Sequence, residues 1–76
     1  MTKEEILLQI CADVMDIDIS SISLDSTRDD IGEFDSLSII QVIDEMEDRF
    51  GTPITKDVLD SVKIEKISDF LSLIEN

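Results

Sequence analysis

The sequence predicts an all-α fold: a small four-helix bundle of three main helices plus one short helix, with a long ordered loop between helices 1 and 2. Three observations predict it. Apolar residues recur at helical spacing in three separate stretches, and no stretch alternates convincingly in the manner of a strand. Thr, Ser and Gly signals also stand where those stretches should begin or stop. At 76 residues there is room for one small core, so residues 1–76 are read as a single domain.

The first helix is expected from Lys3 to Met15. Thr2 and Glu5 have the spacing of a capping box, and Ile6, Leu7, Ile10, Cys11 and Val14 form its apolar stripe. From Asp16 to Asp35 the periodicity fades into Asp, Ser and Thr. That connection is too long for a bare turn, so Ile17, Ile19, Ile22, Leu24, Ile31 and Phe34 are expected to pin it across the helices.

The second helix is expected from Ser36 to Phe50, stopped by Gly51. Thr55 can cap a short helix from Lys56 to Ser61. A last helix is expected from Lys63 to Glu75, with Ile64, Ile67, Phe70, Leu71 and Ile74 along one side.

Charge narrows the function. Six Lys and Arg stand against 19 Asp and Glu, for a net charge of −13. Such a surface cannot release counterions from phosphates, so nucleic acid is excluded as a partner, and anionic membrane surfaces are disfavoured. Residues 25–48 hold nine acids and one base, which points to a face for basic partners.

No apolar run approaches the roughly 18 residues that span a membrane, and no signal-peptide pattern opens the chain. Together with the lone Cys11, this leads us to expect a cytoplasmic monomer without membrane insertion. Cys11 reads as a packed core residue. With no histidine, a Cys/His metal site is not expected. An EF-hand starting at Asp16 fails too, because Ser21 and Thr27 occupy the positions that need Gly and Glu.

On a helical wheel of the second helix, Ile39, Val42, Ile43, Met46 and Phe50 share a core sector. Leu37 and Ile40 fall outside it, among Gln41, Asp44, Glu47 and Asp48. Two apolar anchors within a charged rim have the make-up of a transient docking site. Beside them, at the helix start, stands Ser36. A serine needs a base to act as a nucleophile, and neither a histidine nor a Ser-x-x-Lys pattern serves it here. Ser36 is therefore read as a substrate for another enzyme or, more plainly, as an N-cap, a role open equally to Asp35.

In its full context the sequence resembles the acyl carrier protein family, the phosphopantetheine-binding carrier proteins. The resemblance runs from "TKEEILLQICADVM" through "DDIGEFDSLSIIQVIDEMEDRFGTPI" to "ISDFLSLI". It implies that Ser36, in the Asp-Ser-Leu motif, carries a covalent 4′-phosphopantetheine arm, and that Asp35 assists the metal during transfer. It also implies partner docking at Leu37, Ile40, Gln41, Glu47 and Asp48.

The implied function is to carry acyl or aminoacyl groups as thioesters in fatty-acid or specialised biosynthesis. The implied partners are a phosphopantetheinyl transferase, an acyl- or aminoacyl-loading ligase, and acyl-transfer enzymes with basic docking surfaces. Catalysis by the chain itself is not expected. The "Phe-Asp-Ser-Leu-Ser" form resembles specialised free-standing carriers more than those of housekeeping fatty-acid synthesis. The alternative is an acidic helical interaction module without a prosthetic group.

Overall fold

Thr2 opens the first element as the sequence predicts. Its hydroxyl accepts the Glu5 N–H at 3.2 Å, and the Glu5 carboxylate accepts the Thr2 N–H at 3.2 Å. In the computed structural model, which describes residues 2–74, this box starts α1, Lys3–Met15. The terminator is one the sequence did not announce. Asp16 turns left-handed at φ 55°, a conformation short polar side chains tolerate, and Ile17 N–H reaches back to the Ala12 carbonyl at 3.1 Å.

The loop that follows is ordered, as expected. It contains a 3-10 turn, Ile19–Ser21, and buries Ile22, Ile31 and Phe34 in the core. Ile17 and Leu24 pack partly against that core, but Ile19 does not join them; it is 43% exposed. α2 spans Ser36–Phe50 and ends at Gly51, whose φ of 65° is the left-handed cap that favours glycine. α3 spans Lys56–Ser61, with the Thr55 hydroxyl accepting the Val58 N–H at 3.3 Å.

The last element departs from expectation. An α-helix from Lys63 to Glu75 does not form among the described residues, and Glu75 itself lies outside them. Lys63–Lys66 instead runs beside the long loop, with Thr27 and Lys66 forming an antiparallel bridge. Arg28 N–H donates to the Glu65 carbonyl at 3.0 Å, and Ile67 N–H to the Ser26 carbonyl at 3.0 Å. These partners lie some forty residues away in sequence, so local periodicity carries no sign of them.

Ile67–Leu73 then forms a 3-10 helix. Seven residues is long for that helix, whose poorer hydrogen bonds usually limit it to a turn. Its three-residue repeat lines up Ile67, Phe70 and Leu73, and all three are buried. Leu73 therefore takes a core place that an α-helical reading gave to Ile74, which is only partly buried.

The core is built from Leu7, Ile10, Cys11 and Met15 of α1, Val42 and Met46 of α2, and Ile67 and Phe70 of the terminal helix. Phe34 joins the loop to this core by stacking on Phe70, with ring centroids 5.9 Å apart. The radius of gyration, 11.3 Å, matches the roughly 11 Å of a compact chain this long. Among the described residues there are no strands and no helix long and apolar enough to cross a membrane.

Candidate functional site

α2 begins with a reciprocal lock between Asp35 and Ser38. Asp35 Oδ1 accepts the Ser38 N–H at 3.0 Å, while Ser38 Oγ accepts the Asp35 N–H at 2.9 Å. The Ser38 hydroxyl in turn donates to the Asp35 carbonyl at 2.9 Å. Asp35 is therefore the N-cap, and Ser36 is relieved of that duty at the first helical position.

Ser36 is exposed, and its hydroxyl makes no hydrogen bond among the described residues. The N–H groups of Ser36 and Leu37 likewise find no acceptor in the described chain. A free hydroxyl thus stands over two free amides at the positive end of a helix dipole, an arrangement that favours an anion attached there.

The outer face of α2 has the orientation the wheel implies. Leu37 is 66% and Ile40 58% exposed, whereas Val42, Ile43 and Met46 are buried. Ile39 and Phe50 pack at the margin of the core. Gln41 and Asp48 are exposed beside the two anchors. The ion pair that forms among the described residues is Lys63–Glu65, off α2, so none of the described residues pairs a cation with the acids of α2.

Glu47 differs from its neighbours. Its Oε2 accepts the Ile54 N–H at 2.8 Å, tying α2 to the segment that leads into α3. This contact crosses the Gly51 turn, and nothing in local sequence marks it.

Two grooves flank the start of α2. One, of about 680 Å³, has an apolar wall of Ile39, Val62 and Ile64 with Arg28 at its rim. Ile39 lies one turn from Ser36, on the neighbouring strip of helix surface. The other, of about 530 Å³, lies between the end of α1 and the start of α2, against Val14, Met15, Gly32, Asp35 and Leu37. Sequence reasoning missed both, because each joins segments distant along the chain. It also missed the role of Ser38, although Asp-x-x-Ser carries the spacing of a capping box.

Residues 5–71 match the family described as "Phosphopantetheine attachment site". The chain belongs to that family. Two curated relatives, each called "Acyl carrier protein", extend the match. One, from Exiguobacterium sibiricum, is 35% identical over 79 residues, covering 99% of this chain and 96% of the relative. The other, from an Exiguobacterium species, is 33% identical with the same coverage. No solved structure matches the chain.

Members of the phosphopantetheine attachment family carry 4′-phosphopantetheine covalently, so the chain is a phosphopantetheine-carrying acyl carrier protein and a carrier rather than a catalyst. Its residues fit that group: a serine hydroxyl without a competing bond stands at a helix start that favours a phosphodiester. Cys11, by contrast, is buried, and burial pushes its thiol up to about 12, so it stays protonated and out of reach.

Proposed function

We propose that Ser36 is the attachment residue and that the chain presents cargo to several enzymes in turn. The observation that carries this reading is the Asp35–Ser38 lock, which leaves Ser36 alone at the first position of α2 with a free, exposed hydroxyl. In the transfer, Ser36 Oγ forms the new bond to phosphorus. The pyrophosphate P–O bond of coenzyme A breaks, adenosine bisphosphate leaves, and a base of the transferase takes the hydroxyl proton. Asp35 caps the helix through Oδ1, which leaves Oδ2 for the magnesium ion that the reaction brings.

Once attached, the arm supplies a terminal thiol that holds acyl or aminoacyl groups as thioesters. The chain then positions it: the amides of Ser36 and Leu37 stabilise the phosphodiester, and the wall of Ile39, Val62 and Ile64 offers an apolar surface one turn away. Leu37 and Ile40 dock the transferase, the loading ligase and acyl-transfer enzymes. Gln41, Glu47 and Asp48 add polar and acidic contacts suited to basic partner surfaces. Fatty-acid and specialised biosynthesis both use such chemistry.

The test is incubation with coenzyme A, magnesium and a phosphopantetheinyl transferase, read by intact mass. A carrier gains one arm. A chain that gains none is an interaction module whose Ser36 has no prosthetic group.

A further inference from the structure

Gly32 has no structural reason to be glycine. It sits with Glu33 in a turn closed by Phe34 N–H donating to the Ile31 carbonyl at 3.1 Å, between two buried residues. The positive-φ glycine of this chain is Gly51, not Gly32, so any residue can adopt the Gly32 backbone. A Cβ built there meets no atom within 4 Å. A glycine that neither conformation nor space demands costs stability through the freedom it gives the unfolded chain. What glycine does here is leave the adjoining surface free of a side chain.

What borders Gly32 is the groove of about 530 Å³ between the end of α1 and the start of α2. Val14, Met15 and Leu37 give this groove apolar surface, while Glu33 and Asp35 give it an acidic rim. Asp35 and Leu37, on either side of Ser36 in sequence, both line the groove, which therefore reaches the start of α2. No Lys or Arg occurs in residues 4–27 or 29–48, the two runs from which every lining residue comes. An apolar side chain accompanied by Lys or Arg is the occupant that complements such a surface.

Building on the attachment reading above, we propose that this groove is a docking notch for the phosphopantetheinyl transferase. It receives an apolar side chain of the transferase flanked by basic residues, and the bare backbone of Gly32 keeps it open. The transferase is singled out because its chemistry occurs at Ser36 Oγ itself, so it must cover the start of α2, which the groove borders. Enzymes that act on cargo reach it through the arm and can dock farther along α2. The interface thereby extends beyond the outer face of α2 onto the end of α1.

The test fills the notch in steps with Gly32→Ala, Gly32→Leu and Gly32→Trp, using transferase, coenzyme A and magnesium. All three variants melt no lower than wild type, because the fold does not need this glycine. The apparent KM for the carrier rises with side-chain size, roughly tenfold for Trp, while kcat stays within about twofold. Glu33→Lys raises KM as well, and added salt shrinks the difference.

Gly32→Trp transferred with wild-type KM overturns the notch and leaves attachment at Ser36 standing. A lower melting point for Gly32→Ala overturns it too, since the glycine then serves the fold. A wild-type chain that takes up no arm overturns the attachment reading and this proposal together.

Discussion

The Asp35 carboxylate and the Ser38 hydroxyl satisfy each other's backbone N–H groups, at 3.0 and 2.9 Å, with Ser36 left between them. Two serines two residues apart therefore have opposite duties. Ser38→Ala takes the hydroxyl acceptor from the Asp35 N–H, leaving it the Glu33 carbonyl at 3.1 Å, and should cost about 0.5–1 kcal/mol, or about 2–8 °C in melting temperature for a domain this small. Ser36→Ala removes no hydrogen bond seen in the fold and should stay within about 0.5 kcal/mol of wild type. Thermal melts of the two variants check this.

A second contrast lies on opposite faces of α2. Ile43 is buried at 8% exposure, and Ile43→Ala should cost about 2–5 kcal/mol through lost packing. Ile40 is 58% exposed, and Ile40→Ala should cost no more than about 1 kcal/mol while slowing loading by the transferase. Melting curves and loading rates measured on the same preparations separate the two effects. If Ile40→Ala melts as badly as Ile43→Ala, the outer face belongs to the fold.

Glu47 and Asp48 should not behave alike, although both are acidic docking candidates. Glu47→Ala removes the acceptor from the Ile54 N–H and should cost about 1–2 kcal/mol, whereas Glu47→Gln keeps an acceptor and should lose less. Asp48 is exposed and makes no such bond, so Asp48→Lys should leave stability nearly unchanged. Its slowing of partner association should fade with salt. Denaturant titration together with association rates at two ionic strengths decides the point.

How much of this was legible in the sequence depends on how local each cause is. The bounds of α1, α2 and α3 were readable because Thr2, Glu5, Gly51 and Thr55 act within a turn of the helix ends they set. The exposure of Leu37 and Ile40 was readable because helical angle alone fixes it. The last element was misread because its fate is decided by pairing with Ser26–Arg28 and by a three-residue repeat, and an α-helical stripe mimics both. Ser36 was legible as a candidate through motif and helix position. Its release from capping needed the Asp35–Ser38 geometry, and the Glu47–Ile54 tie and both grooves needed tertiary structure.

The Cys11 thiol gives a pH signature. Burial raises it from 9.0 to about 12, so the folded state holds the proton that the unfolded state loses first. That contribution is fully present below pH 9.0 and disappears as pH rises toward about 12. Between those values the stability of wild type should fall more steeply than that of Cys11→Ala, by up to about 1.4 kcal/mol per pH unit. Denaturant melts at stepped alkaline pH measure the two slopes, and equal slopes would contradict the assignment.

The most direct test of the account is the position of the arm, read by peptide mass mapping after transfer from coenzyme A. Cleavage after Arg28 and Arg49 releases one peptide holding both Ser36 and Ser38, and fragmentation distinguishes them. The account predicts a single arm on Ser36, and none at all on Ser36→Ala. An arm on Ser38, on a serine outside this peptide, or on Ser36→Ala would contradict it.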